Sequence, residues 1–166
     1  PPGSVVNANY PAACFGGNVE TSSRIMDVLL GCFTQAVPDR VIGSCFGTCQ
    51  NFTAGSIHPD TDEYSIIYVY HEGGWGARAT ADGLSAEINP IGNDMNQPVE
   101  IFETKFPWRY EEYALNEDSG GPGRQRGGLG IRQRMQSLSE TTTVNLIADR
   151  YLHPPWGVFG GKSPLP

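Results

Sequence analysis

The stretch Asp118-Ser-Gly-Gly-Pro-Gly-Arg-Gln-Arg-Gly-Gly-Leu-Gly130 crowds six glycines and a proline into thirteen positions. A backbone so short of side chains can enter left-handed and close-packed conformations. Flexible linkers repeat Gly and Ser without anchors. Here an aspartate and two arginines are interleaved between apolar, strand-like flanks, so the segment reads as a shaped loop. Arg124 and Arg126 offer planar donor pairs suited to a carboxylate or a phosphate. The loop is then either an anion cradle or a tight turn closed by an ion pair between Asp118 and an arginine. On residues alone the tight turn is the commoner object.

Outward from the loop the hydrophobic period is mostly two. Pro98 to Phe106 and Arg109 to Leu115 read as an extended pair hinged at Pro107, with Glu100 and Glu103 on opposite faces. Beyond the loop, Ile131 to Leu138 and Thr142 to Arg150 read as a hairpin about Ser139-Glu140-Thr141. Upstream, Phe46 to Ala54 and Tyr64 to His71 read as strands joined by a polar turn, and Ser4 to Tyr10 as a strand or extended entry that Pro11 limits.

One segment keeps a helical period. Val19, Ile25, Met26, Leu29, Leu30, Phe33 and Val37 recur at three and four residues, opposite Glu20, Arg24, Asp27, Thr34 and Gln35. This predicts a helix over about 18–37, with Asn18 as N-cap, Glu20 in the first turn and Pro38 as the stop. The rigid turn from His153 to Gly161 follows the last strand, and Ser163 to Pro166 is expected to fray. The fold class is α+β: a β-rich single domain of residues 1–166, with one main amphipathic helix and many Gly/Pro turns, of which the 21 Gly and 13 Pro are the compositional sign.

A net charge of −7 argues against nonspecific binding to nucleic acid or acidic membranes, although Arg124, Arg126, Arg132 and Arg134 predict a local positive patch. No apolar run reaches the length of a membrane span and no basic-then-apolar stretch opens the sequence, so neither a membrane span nor a signal peptide is expected. With Cys14, Cys32, Cys45 and Cys49 read as buried free thiols, the expectation is a cytoplasmic protein. The opening Pro1-Pro2-Gly3 reads as part of a processed or trimmed piece of something larger.

The chain's chemistry is thin on its own terms. The glycine loop lacks the lysine of a phosphate-binding P-loop and precedes a strand, not the helix of a dinucleotide fingerprint. His58, His71 and His153 show no metal spacing, and His71, beside Glu72, reads first as a structural histidine. Ser119 lacks the Gly-x-Ser-x-Gly elbow of a nucleophile. The aromatic residues Tyr68, Tyr70, Trp75, Phe106, Trp108, Tyr110 and Tyr113 read as a sheet core before a binding platform.

Five motifs in order extend the reading. Asn9-Tyr-Pro-Ala-Ala13 with Gly17-Asn-Val-Glu-Thr21, Gly73-Gly-Trp-Gly-Ala-Arg78 with Asp82-Gly83, Pro98-Val-Glu-Ile-Phe-Glu103, the central loop, and Pro155-Trp-Gly-Val-Phe-Gly-Gly161 together resemble the hydantoinase B/oxoprolinase family. The resemblance implies a B-type part of an ATP-dependent cyclic-amide hydrolase such as a hydantoinase, 5-oxoprolinase or caprolactamase, or of the related acetone and acetophenone carboxylases. It also implies an A-type partner subunit that binds ATP and phosphorylates the small-molecule substrate. Family B subunits are longer, so an upstream B-type segment is expected. A divalent metal is expected in the complex, with its ligands outside this segment and none assigned here. On this resemblance Asp118 anchors the loop, and Arg124 and Arg126 stabilise anionic charge with the backbone of Gly120, Gly121, Gly127 and Gly128. Glu100 or Arg78 completes that wall. A noncatalytic scaffold that shapes a subunit interface is the other class of function.

Overall fold

Helix α1 (Phe15–Ala36) is the longest element of the structure, a computed structural model that describes residues 1–164. It begins three residues earlier than its periodicity indicates. Cys14, not Asn18, takes the N-cap position, and Asn18 lies inside the first turn, where its N–H donates to the Cys14 carbonyl at 2.7 Å. Pro38 stops the helix as expected, two residues beyond Ala36.

The direction in which α1 faces is the larger correction. Ser23 and Asp27 are the residues it buries, at 1% and 4% exposure, whereas Ile25, Val28, Leu29 and Phe33 are 44%, 64%, 47% and 53% exposed. The cause is a clamp beneath the helix. The Asp27 carboxylate forms a hydrogen-bonded ion pair with Arg150, whose guanidinium also donates to Ser44 Oγ at 3.2 Å. Burial and neighbouring Arg24 pull the Arg150 pKa down to about 10, so the guanidinium stays charged at neutral pH. Gly47 sits at φ 66 directly over the pair, and a Cβ there would come within 2.8 Å of the guanidinium. Two turns back, Glu20 accepts from the Cys49 amide at 3.0 Å and from Asn51 Nδ2 at 3.4 Å, outside the first-turn role expected of it.

Residues 41–50, read in part as strand, form a buried irregular segment instead. Its backbone is satisfied from both sides: Gly43 N donates to Ala77 O at 3.0 Å, Ser44 N to Trp156 O at 3.0 Å and Phe46 N to Gly74 O at 3.0 Å. Regular pairing begins only at β1 (Asn51–Ile57), which pairs antiparallel with β2 (Tyr64–Val69).

Val99–Lys105, read as extended, is helix α2. Glu100 in its first turn and Lys105 in its last match the helix dipole, and the i,i+4 spacing sends Phe102 and Phe106 to one side, their rings 5.1 Å apart. Burial of Phe102 contributes about 3 kcal/mol, which outweighs the strand preference of Val99 and Ile101. Pro107 still ends the element.

The expected hairpin of the last two strands does not form. β3 (Trp108–Leu115) pairs with β4 (Ile131–Ser137), while β5 (Thr142–Ile147) crosses to the other sheet and pairs with β1, giving the order β2-β1-β5. The core lies between the two sheets and α2, where Ala54, Ile67, Phe102 and Trp108 are buried and Phe52 meets Trp108 edge-on at 5.9 Å. The architecture is α+β, as the composition indicates. Ser4 to Tyr10 contributes only an isolated bridge between Ser4 and Asn7. Ser163 and Pro164 are half-buried and not frayed; Leu165 and Pro166 lie outside the described residues.

Asp27→Ala strands the buried Arg150 charge and is expected to cost about 3–5 kcal/mol in chemical denaturation of the chain. Phe33→Ser, on the exposed side of the same helix, is expected to stay within about 0.5 kcal/mol.

Candidate functional site

A cavity of about 380 Å³ opens where four irregular segments meet: the buried 43–50 segment, 73–77, the central glycine loop and the turn at 155–162. Ten of its thirty lining residues are glycine, which brings main chain close to the space. Three glycine-rich strips interlock behind it: Trp75 N donates to Leu84 O at 2.9 Å, Gly128 N to Trp75 O at 2.9 Å and Gly83 N to Arg126 O at 2.8 Å. The approach is so close that a Cβ on Gly128 would overlap the Leu84 carbonyl. Trp75 is fixed by its indole N–H, which donates to Ile88 O at 2.7 Å.

The loop is held mainly from outside its own sequence: Asp82 Oδ1 accepts from the Arg126 amide at 2.8 Å and Ser85 Oγ from the Leu129 amide at 2.9 Å. Within it, Ser119 Oγ accepts from the Gly130 amide at 2.9 Å. Asp118, the expected anchor, is exposed at φ 58, and its carboxylate has no hydrogen bond or ion pair among the described residues. The alternative of an Asp118–arginine pair is therefore also not what closes this turn.

The sequence-derived site residues separate. Gly121, Gly127 and Gly128 line the cavity together with Ser119 and Gln125. Arg124 and Arg126, on either side of Gln125, are exposed and do not line it; nor do Gly120, Arg78, Glu100 or Asp118. Arg78 follows directly on the wall residues Gly76 and Ala77, whereas Glu100 stands on α2. The four-arginine patch is also smaller than expected. Arg132 pairs with Glu112 at 2.7 Å and Arg134 with the same carboxylate at 3.7 Å, so of the four only Arg124 and Arg126 have no ion-pair partner among the described residues.

Sequence reasoning missed the cavity's charged groups: Glu72, Asp149, Arg150 and Lys162. Most are engaged. Glu72 accepts from Tyr113 Oη at 2.8 Å, Asp149 holds Arg24 at 2.7 Å, and Arg150 holds Asp27. Ser119 Oγ donates to Asn116 O at 2.7 Å while accepting from Gly130, so it is no free nucleophile. His71 packs its ring 6.1 Å from Phe52, and burial lowers its pKa, leaving it neutral at physiological pH. Burial raises the Cys45 and Cys49 thiols to about 11, so both are protonated. Cys14 and Cys32 are exposed, against the expectation that all four are buried. Among the described residues no three His, Cys, Asp or Glu side chains gather into a group that could hold a metal ion, and no helix is long and apolar enough to cross a membrane.

These features define an α+β segment with a cavity lined by interlocked glycine-rich strips, one of which carries the exposed Arg124 and Arg126. The chain belongs to the hydantoinase B/oxoprolinase family, which matches it over residues 1–166. A Methanocaldococcus jannaschii relative is 39% identical over 163 residues, covering 98% of this chain and 28% of the relative. The 5-oxoprolinase of Dictyostelium discoideum is 33% identical over 166 residues, covering 98% of this chain and 12% of that enzyme. Among solved structures, nucleotide-free acetone carboxylase, described as acting in ATP-dependent acetone carboxylation, superposes with a TM-score of 0.64 at 28% identity, covering 80% of this chain and 18% of that one. The chain thus spans less than a third of the length of each.

Two thiols are expected to react rapidly with a disulfide reagent at neutral pH, Cys14 and Cys32, with Cys45 and Cys49 reacting only after unfolding; four equally fast thiols would contradict the burial. The Arg150 amide and the Arg24 guanidinium hold the Asp149 carboxyl below its usual range. A depressed carboxyl pKa contributes stability that is present above about pH 4 and lost as pH falls, so Asp149→Asn is expected to flatten the acid limb of a stability-against-pH curve.

Proposed function

We propose that this chain is part of the B-type subunit of an ATP-dependent cyclic-amide hydrolase of the hydantoinase, 5-oxoprolinase or caprolactamase kind. It acts on a small-molecule substrate phosphorylated by an A-type, ATP-binding partner. The observation that carries the reading is the family match across all of residues 1–166. An amide carbon resists water because nitrogen lone-pair donation makes the carbonyl a poor electrophile. Transfer of a phosphoryl group to the amide oxygen makes the carbon attackable. One water adds, and the tetrahedral centre collapses with cleavage of the ring C–N bond and departure of the nitrogen as a protonated amine. A second water cleaves the resulting acyl phosphate to carboxylate and phosphate.

The contribution of this segment is placement and charge. The backbone walls of the cavity exclude water and hold the substrate ring, with Gly121, Gly127 and Gly128 as the loop's share. Arg124 and Arg126 are exposed beside that wall, and in this reading their donor pairs stabilise the phosphate or the tetrahedral oxyanion at the junction with the partner segment. Arg78, beside the Gly76–Ala77 wall, supplies a further cation at the rim. A divalent metal, which the family implies, would find no ligand set among the described residues, and no step here runs through one.

The likeness to acetone carboxylase supports a second reading, in which the phosphorylated species is an enol or bicarbonate and the product a carboxylate. Coupled assays separate the two: ATP turnover that depends on a cyclic amide supports hydrolysis, and turnover that requires bicarbonate and a ketone supports carboxylation.

In the assembled enzyme, Arg124→Gln with Arg126→Gln is expected to lower kcat/KM by about 100-fold or more while the melting temperature stays within about 2 °C. Unchanged kinetics overturn the assignment, and a lowered melting temperature with unchanged kinetics makes the pair structural.

A further inference from the structure

We infer that the outer face of α1 is a docking surface, and that its occupant is the polypeptide lying outside the matched 166-residue stretch in B-type relatives. The stripe Ile25, Val28, Leu29, Cys32 and Phe33 repeats at i, i+3, i+4, i+7 and i+8, the spacing by which a helix presents one continuous apolar edge. In this structure that edge faces solvent. It cannot turn inward, because the opposite face is pinned by the buried Asp27–Arg150 pair and by Glu20 on the Cys49 amide. A pinned, uncharged apolar stripe over more than two helical turns is an interface without its other half.

A second surface points the same way. β5 is the outer strand of its sheet, with no strand on its free edge among the described residues, and Val144 and Leu146 are each 52% exposed. Edge strands that stay free are commonly blocked by lysine, proline or a bulge, and Thr142-Thr-Val-Asn-Leu-Ile147 has none. The strand leads directly to Asp149 and Arg150, which grip α1 through Arg24 and Asp27. The open edge and the apolar stripe therefore belong to elements joined at one clamp.

Relative length identifies the occupant. The Methanocaldococcus relative matches 98% of this chain, yet the match is only 28% of that protein, so ample polypeptide exists to cover both surfaces. A second copy of this chain fits less well, since each would bring a net charge of −7 to the contact. The identity of the occupant rests on the B-type reading above; the test reads packing and not turnover, so either can fail without the other.

The test replaces the homologous stretch of the Methanocaldococcus relative with residues 1–166 in one continuous chain carrying a benzophenone side chain at position 29. Photocross-links from position 29 to residues outside the stretch are expected. Leu29→Glu with Phe33→Glu should speed limited proteolysis by about tenfold relative to Glu111→Gln, a change on an exposed strand position. Cross-links confined to residues 1–166, cross-links to a second copy, or unchanged proteolysis overturn the inference. So does an insoluble chimera that Leu29→Glu renders soluble, or a dimer of the 166-residue chain that Leu29→Glu dissolves in sedimentation.

Discussion

The ion pair between Asp27 and Arg150 fixes more of this molecule than any apolar contact does. Two charges taken out of water cost several kcal/mol each, and the cost is offset only where geometry and extra hydrogen bonds are good. Here the arginine gains Ser44 as a second partner, and Gly47 leaves out the side chain that would intrude. Three parts of the chain meet at this point: the middle of α1, the buried 43–50 segment, and the exit of β5. Removing either charge would leave the other buried and unpaired, so the helix is held polar side inward although its apolar side is the larger hydrophobic surface.

From that anchor the cavity follows. The 43–50 segment does not pair as a strand in the sheet because the amides of Gly43, Ser44 and Phe46 are taken by the carbonyls of Ala77, Trp156 and Gly74, which belong to no sheet. Backbones that pair without regular register need close approach, and glycine at 73, 74, 76, 83 and 128 permits it. The result is a glycine-rich cavity, with its loop stapled by Asp82 and Ser85 from more than forty residues away. Arg124 and Arg126 of that loop are exposed and do not line the cavity.

How much of this was legible depends on the range of the deciding contact. The extent of α1, the β1–β2 pair and β3 could be read because their signals are local: period, Pro38 and a polar turn. The face of α1 could not, because periodicity locates an apolar stripe without saying what it touches, and the partner of Asp27 lies 123 residues away. α2 was misread since Val99 and Ile101 favour strands while the anchoring burial of Phe102 is tertiary. The short turn at 138–141 imitated a hairpin, yet each flanking strand had a better partner elsewhere. At the site, the glycine loop was legible as a shape. Its staples and the charged lining of Glu72, Asp149, Arg150 and Lys162 were not, because each is defined by a neighbour distant in sequence.

The cavity's side chains also constrain what kind of catalysis this segment can share in. A general acid or base must be free to move a proton. Here Glu72 is bound to Tyr113, Asp149 to Arg24, Ser119 to Asn116 and Gly130, and Thr48 Oγ1 to the amides of Gln50 and Asp149, while the nearby thiols stay protonated. A surface so committed can bind, orient and exclude water, and apart from Lys162 it has little that is free to move a proton. That leaves the segment's fixed backbone and the exposed guanidinium groups of Arg124 and Arg126 beside the cavity, which can supply position and electrostatic stabilisation.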